Sequence, residues 1–265
     1  MSCYRDGRYP SNSVGYCSGV EVFLGAGRHW VYSSRLITNL GSMLADLISG
    51  SVGKPDLSQC VYYCGVVSMT ENLVAHQMVV DREQRSALKQ QRPVVLWFTG
   101  LSGAGKSTIA NALEQALLEN NRHTYLLDGD NMRLGLCNDL GFNDHDRAEN
   151  IRRIAEVGKL FVDAGLIVVS AFISPFRLDR ALARKVIGDE FFVEVYISTP
   201  LPECERRDPK GLYGKARSGM IKNFTGIDSL YEPPLNPDIT INTLEEDVSV
   251  SVEKIMQYLV GRIER

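Results

Sequence analysis

Residues 94–119 combine a strand, a glycine-rich turn and a helix in immediate succession. Val94 to Phe98 form an uninterrupted apolar run, which is typical of a strand buried on both faces of a sheet. Ser107 to Glu119 carry apolar side chains at helical spacing. The turn between them matches the pattern G-x-x-x-x-G-K-S/T, which forms a phosphate-binding loop in this strand-to-helix context. These patterns predict an α/β fold with an anion site between the strand and the helix.

The turn has the chemistry that a nucleoside triphosphate requires. Its glycines let the backbone curl so that successive N–H groups point at phosphate oxygens, and the helix N-terminus adds a partial positive charge. We expect Lys106 to reach the β- and γ-phosphates and the Ser107 hydroxyl to bind Mg²⁺. The predicted ATP-binding residues are Gly100, Leu101, Ser102, Gly103, Ala104, Gly105, Lys106, Ser107 and Thr108.

Strands and helices continue to alternate after this turn. Strand-like runs at 124–127, 166–172, 191–197 and 239–242 are interspersed with helix-like runs at 146–164, 177–186, 202–206 and 248–259. Repeated β-α units favour a parallel sheet with helices on both faces, so we predict an α/β fold of the P-loop NTPase type. Ligands of such a sheet bind at the carboxyl ends of its strands.

Polar residues follow the predicted strands at that edge. Asp128, Asp130 and Arg133 come after the second strand, where a carboxylate would orient an acceptor hydroxyl and take its proton, or hold the water shell of a metal. Arg147 and Asn150 are three positions apart and share a helix face. A turn rich in Asp and Gly, and a solvated helix start, are the simpler alternatives for these two stretches.

Two further segments are predicted at the same edge. Pro175 forces the chain out of its strand and leaves Ser174 at the strand end. The run at 206–228 is basic and punctuated by glycines, which indicates a mobile lid that closes over phosphates, rather than core. An ordinary surface loop is the alternative for this run.

Composition limits the partners of the chain. Its 265 residues allow one sizeable core, and a net charge of -3 gives no general attraction for nucleic acid. The sequence lacks a run of about 18 apolar residues, so we expect no membrane partner and a cytoplasmic location. The six cysteines show no C-x-x-C or zinc-finger spacing, and we expect reduced thiols.

Six motifs, in the order of one enzyme family, give a specific resemblance. They are GLSGAGKST, LLDGDNMR, LGFNDHDRAENIRR, AFISPFR, RDPKGLY and NFTGIDSLYEPP. From about residue 77 to its end the chain resembles adenylylsulfate (APS) kinase in its stand-alone form. The resemblance implies an enzyme that transfers the γ-phosphate of ATP to the 3′-hydroxyl of APS. The product, PAPS, is the activated sulfate donor of sulfate assimilation.

The resemblance also implies which side chains surround APS. They are Asp130, Arg133, Phe142, Arg147, Asn150, Ile173, Ser174, Lys210, Asn223 and Phe224. Phe142 and Phe224 would enclose the adenine, which suits aromatic stacking, and the arginines would bind the phosphosulfate. Lys106, Asp130 and Ser174 are the candidate catalytic residues.

Two positions qualify that resemblance. Ser174 matches a serine described as a phosphoserine intermediate in some members. We expect direct in-line transfer instead, because no base adjoins Ser174 in the sequence. The family usually has a basic residue where Gly214 stands. Lys215 and Arg217 remain nearby, so we expect looser lid closure rather than loss of activity.

The residues alone leave other functions open. A P-loop kinase of another small acceptor, such as a sugar acid or a nucleoside monophosphate, would explain the loop but not the FTGID segment. A nucleotide-dependent switch protein would fit the D-x-x-G pattern at 208–211, but the sequence has no N-K-x-D segment for guanine. The oligomeric state also stays open, with a homodimer as one candidate.

The first 68 residues differ from the rest in composition. They contain nine charged residues, against 52 in the remaining 197, which marks a domain boundary. Apolar runs at Val20 to Leu24 and Val61 to Val67 suit strands or a helical turn. Residues 1–68 fit a poorly ordered extension, a regulatory addition, or sequence translated ahead of a natural start at Met69. We predict residues 69–265 to be the P-loop kinase domain.

Removal of residues 1–68 is expected to leave ATP-dependent turnover and the free energy of unfolding nearly unchanged, because no predicted site residue lies there. Rates of ADP release and urea unfolding curves for the full chain and for residues 69–265 check this expectation. A truncated protein that is inactive or insoluble would show instead that the extension is structural.

Overall fold

The computed structural model describes three strands before residue 34, Val74, and residues 76–265. Its contacts divide the chain into Met1–Ala75 and His76–Arg265. The strands of the first unit are β1 (Gly15–Cys17), β2 (Val20–Gly25) and β3 (Arg28–Ser33), and they form an antiparallel sheet in that order. The strand at Val20 agrees with the sequence. The run at 61–67 and the boundary at Met69 lie outside the described residues, so both stay predictions.

A five-stranded parallel sheet forms the centre of the second unit. Its strands are β4 (Val94–Thr99), β5 (Thr124–Asp128), β6 (Ile167–Ala171), β7 (Phe192–Ile197) and β8 (Ile239–Ile241), in the order β5-β6-β4-β7-β8. All neighbouring pairs are parallel. The central strand β4 is buried along its whole length, as an apolar strand covered on both faces should be. The carboxyl ends of all five strands meet at one edge.

Eight α-helices accompany this sheet in residues 76–265. They are α1 (Arg82–Lys89), α2 (Lys106–Glu119), α3 (Gly129–Arg133), α4 (Asp144–Asp163), α5 (Arg177–Ile187), α6 (Leu201–Arg207), α7 (Leu212–Arg217) and α8 (Val248–Leu259). The strands and helices predicted after the turn are present, with ends displaced by at most two residues. The described part of the chain contains no helix with the length and apolar character needed to cross a membrane.

Buried side chains cover both faces of the sheet. One cluster joins it to α2 and α8 and includes Leu96, Phe98, Leu113 and Ile255. The other joins it to α4 and α5 and includes Val95, Trp97, Ile154 and Ala183. Alternate residues of β4 therefore enter opposite clusters, as strand geometry requires. The predicted α/β fold with helices on both faces is confirmed.

The predicted lid contributes to the core, so the expectation that it is too basic for core was wrong. Tyr213 and Ala216 of α7 are buried, as is Phe224 after it. The rings of Tyr213 and Phe224 meet edge to face with centroids 5.0 Å apart. Lys215 and Arg217 are exposed. Composition averages over both sides of the segment, and it therefore hides the few apolar residues that face inward.

Candidate functional site

The loop between β4 and α2 lies in the middle of the carboxyl edge of the sheet. Gly103 and Gly105 have φ angles of 73° and 106°, which residues with a side chain rarely adopt. A Cβ on Gly100 would lie 2.6 Å from the carbonyl oxygen of Ile197, at the end of β7. The N-cap of α2 is Gly105, which has no side chain to satisfy the first N–H groups of the helix. Those groups remain available to an anion.

Lys106 folds back onto this loop. Its Nζ donates hydrogen bonds to the carbonyl oxygens of Gly100 at 2.9 Å and Leu101 at 2.7 Å. Burial lowers the pKa of Lys106 to about 8, although the carboxylates of Asp128 and Asp130 act in the opposite direction. The ammonium is thus held by neutral acceptors, and a bound phosphate would stabilise its charged form.

Ser107 and Asp128 bring oxygen ligands together beside the loop. Ser107 Oγ donates to Asp128 Oδ2 at 2.7 Å, so the lone pairs of the hydroxyl remain free. Asp128 Oδ1 caps α3 by accepting from the backbone N–H groups of Asp130 and Asn131. Oxygen groups of this kind are the ligands that Mg²⁺ prefers. Sequence reasoning gave Ser107 as the metal ligand and offered the carboxylates of Asp128 and Asp130 for the water shell, and the hydrogen bond to Ser107 favours Asp128 of the two.

A cavity of about 1040 Å³ opens at this edge. Every residue predicted to surround the acceptor lines it: Asp130, Arg133, Phe142, Arg147, Asn150, Ile173, Ser174, Lys210, Asn223 and Phe224. From the predicted ATP-binding set, the lining residues are Ser102, Gly103, Gly105, Lys106, Ser107 and Thr108. Gly100, Leu101 and Ala104 do not line it: Gly100 and Ala104 are buried beneath the loop, and Leu101 borders a separate cavity. The carbonyl oxygen of Ala104, for example, accepts the hydroxyl of Thr199.

Arg207 and Thr243 belong to the loop side of the site, although sequence reasoning did not single them out. Arg207 lines the cavity and donates to Thr243 Oγ1 at 2.9 Å and to its carbonyl oxygen at 3.0 Å. Glu203 accepts from Arg207 Nε at 2.7 Å. The guanidinium is therefore fixed beside Gly105, whose Cβ would lie 3.5 Å from the Thr243 methyl. The partners are 36 residues apart, and the local sequence gives no signal for their contact.

Arg147 joins α4 to the lid. Its side chain is 8% exposed and donates to the carbonyl oxygen of Phe142 at 2.8 Å, to Thr225 Oγ1 at 2.9 Å and to the carbonyl oxygen of Asn223 at 2.6 Å. Three of its five N–H groups thus bind protein atoms. Arg147 was expected to bind the phosphosulfate. The structure shows that it also holds two walls of the cavity together.

Phe142 and Asn150 both line the cavity. Phe142 is 59% exposed, and the guanidinium carbon of Arg133 lies 4.3 Å from its ring centroid. Asn150 is buried, and its Oδ1 accepts no hydrogen bond from any described residue. A buried acceptor without a partner is costly. The exposed ring of Phe142 therefore suits a ligand with a flat ring, whereas Asn150 contributes a buried acceptor behind the cavity wall.

Asp130 and Lys210 form an ion pair between α3 and the lid. Their side chains are 69% and 55% exposed. Ion pairs this exposed contribute about 0 to 1 kcal/mol, because water screens them. The contact can therefore open at little cost when a ligand enters.

Comparisons with known proteins agree with this geometry. The sequence pattern of the family described as adenylylsulphate kinase matches residues 92–242. An adenylyl-sulfate kinase of Pseudomonas aeruginosa is 66% identical over 180 residues, which cover 68% of this chain and 92% of that protein. One from Aeromonas salmonicida is 60% identical over 188 residues, 71% of this chain and 96% of that protein. The solved Mycobacterium tuberculosis APS kinase in complex with AMPPNP and APS is 50% identical, with a TM-score of 0.62 over 64% of this chain and 98% of that one.

Binding of a triphosphate should place a proton on Lys106 when the pH lies above the ligand-free pKa of about 8. Calorimetric titration with AMPPNP in buffers of different ionisation enthalpy should show proton uptake at about pH 8.5, and less at about pH 6.5. Lys106→Met is the control, because it removes the titrating group, and it separates the protons of the ligand from those of Lys106. Equal uptake by both proteins at the higher pH would assign the titration to another group.

Proposed function

The chain belongs to the adenylylsulphate kinase family, and we propose that the cavity at its phosphate loop is where it transfers the γ-phosphate of ATP to the 3′-hydroxyl of APS. As a member of this family it is an ATP-dependent kinase. One observation supports the assignment of the site. The loop that suits a triphosphate and the residues predicted to surround APS line one continuous cavity.

The loop side of the cavity would bind ATP. The open N–H groups at the start of α2 and the Lys106 ammonium would stabilise negative charge as it develops on the γ-phosphate. Lys106 would exchange its two carbonyl partners for phosphate oxygens. Glu203 and Thr243 fix the orientation of the planar Arg207 guanidinium, and a guanidinium fixed in this way could stack against the base of ATP.

Ser107 and Asp128 would hold Mg²⁺, which supplies charge neutralisation at the phosphates when bound. Their hydrogen bond brings two hard oxygen donors to one point at the rim of the cavity. The described residues contain no group of three or more His, Cys, Asp or Glu side chains arranged around a metal. This donor set fits an ion that keeps water and phosphate oxygens as its other ligands.

The lid side would bind APS. Phe142 offers an exposed ring for the adenine, and Phe224 borders the same space with a smaller exposed surface. Arg133, Lys210 and Lys222 are cations that line this side and would meet the phosphosulfate. Asp130 would orient the 3′-hydroxyl and take its proton once its contact with Lys210 opens.

Transfer would be direct and in line. Ser174 Oγ accepts a hydrogen bond from Trp97 Nε1, and within the described residues no base contacts it to remove its proton. A direct reaction needs only the positioning of the two nucleotides and the neutralisation of charge. The cytoplasmic location, the homodimer and the domain boundary at Met69 remain predictions.

An acceptor panel tests the proposed function. We expect ATP-dependent ADP release to be fastest with APS, and much slower with a nucleoside monophosphate or a sugar acid. Of these acceptors, only APS has both a purine for the aromatic rings and a phosphosulfate for the cations of the lid side. A coupled assay of ADP release on the full chain gives the rates. Faster transfer to either of the other acceptors would overturn the assignment of APS.

Replacement of Phe142 by Ala should weaken APS binding by roughly 1 to 3 kcal/mol, the usual contribution of a base stacked on an aromatic ring. KM for APS should rise accordingly, while KM for ATP stays near its starting value. Phe191→Ala is the matched control, because the Phe191 ring also lies beneath an arginine, with Arg82 at 4.4 Å, but does not line the cavity. Equal effects of the two substitutions would mean that the adenine binds elsewhere.

A further inference from the structure

Ser174 is held in an unusual backbone conformation where β6 runs out into the cavity. Its φ angle is 39°, in the left-handed region that residues with a side chain rarely occupy. Its carbonyl oxygen accepts from Arg180 Nη1 at 2.7 Å, and the preceding carbonyl oxygen, of Ile173, accepts from Thr99 Oγ1 at 2.8 Å. Arg180 is itself buried and bonds Glu194 at 2.7 Å. Strained backbone that the surrounding structure fixes in this way often marks a functional position.

The side chain of Ser174 is held from the opposite direction by Trp97. Trp97 Nε1 donates to Ser174 Oγ at 3.2 Å. Trp97 is completely buried, and its ring stacks with Phe172 and Phe192 at centroid distances of 6.1 and 5.6 Å. The indole therefore cannot turn away, and it has only this one polar group, which can donate but cannot accept.

This contact determines whether the Ser174 hydroxyl donates or accepts a hydrogen bond on its cavity side. A hydroxyl oxygen can accept two hydrogen bonds and donate one. The Trp97 N–H occupies one acceptor position, and the partial positive charge on its hydrogen repels the hydroxyl hydrogen. That hydrogen has no acceptor among the described residues, and Ser174 lines the cavity. Ser174 is buried, with 2% of its surface exposed, and the exposed part borders the cavity, so the direction left for the hydrogen is toward a ligand bound there.

We propose that Trp97 is a positioning residue for the reaction: its indole N–H turns the Ser174 hydroxyl into a fixed donor toward an anionic oxygen of the acceptor nucleotide. This inference rests on the proposed function, because it takes APS to be the ligand on that side. Trp97 itself touches no substrate and acts only through Ser174. The N–H of a buried tryptophan needs some acceptor in any fold, so a purely structural role for this bond is the competing explanation.

The first test separates the two explanations by kinetics. Trp97→Phe removes the N–H and keeps an aromatic ring. We expect KM for APS to rise roughly three- to tenfold, the loss expected from one misdirected hydrogen bond, with KM for ATP unchanged. Phe192→Leu is the matched control: it loosens the same ring stack but keeps the indole N–H, so KM for APS should stay the same. An equal rise in both variants, or none in Trp97→Phe, would overturn the proposal.

A double-mutant comparison adds a second kinetic criterion. In a Ser174→Ala background the hydroxyl is gone, so Trp97→Phe should raise KM for APS no further. Independent, multiplying effects of the two substitutions would mean that Trp97 acts by another route. The wild-type protein must turn over APS for any of these comparisons. Absence of that turnover would refute the proposed function itself, and so the two failures are distinguishable.

A spectroscopic measurement covers the case in which Trp97→Phe does not fold. The chain has two tryptophans, so a ¹H–¹⁵N spectrum of the full chain should contain two indole signals, and Trp30→Phe assigns the one that belongs to Trp97. Ser174→Ala should shift the Trp97 signal, because the acceptor of its N–H is removed. Addition of APS to the wild type should move the same signal. A Trp97 signal that responds to neither change would overturn the proposal.

Discussion

The close approach of Gly100 to the end of β7 determines where the phosphate loop can lie. A side chain at this position would meet the Ile197 carbonyl oxygen at 2.6 Å, so β4 can turn beneath its neighbour only with glycine there. Because β4 is the central strand, the turn delivers the start of α2 to the middle of the carboxyl edge. The bare N–H groups of α2, Lys106 and Ser107 all take their positions from this contact.

The rest of the site is assembled around that loop by side chains from distant parts of the sequence. Arg147 connects α4 to the lid through bonds to Phe142, Asn223 and Thr225. Arg207 performs a similar task on the other side through Thr243. In both cases a planar guanidinium satisfies backbone carbonyls that loops would otherwise leave unpaired. The walls of the cavity are thus ordered by arginines as much as by apolar packing.

The sequence predicts the sheet and the long helices well, because buried strands and helices each require their own spacing of apolar residues along the chain, and that spacing is visible in the sequence. It misses α3 and α7, whose few residues depend on the Asp128 cap and on the burial of Tyr213. The cavity-lining residues follow from motifs that resemble a family, and the structure brings them together. Contacts such as Arg207 with Thr243 carry no local signal. The bonds from Arg147 to backbone carbonyl oxygens were likewise not predictable, because the charge of an arginine does not show whether it binds an anion or joins two loops.

The bonds of Lys106 to the carbonyl oxygens of Gly100 and Leu101 have a consequence for turnover. They give the buried ammonium two acceptors within the loop itself, so its burial does not depend on a nucleotide. Lys106 moves to a bound nucleotide only if its interaction with the phosphate oxygens is stronger than its two hydrogen bonds to the carbonyl oxygens. A spent nucleotide that has lost its terminal phosphate competes less well for the same cation. Return of the Lys106 ammonium to the two carbonyl oxygens would therefore favour release of ADP.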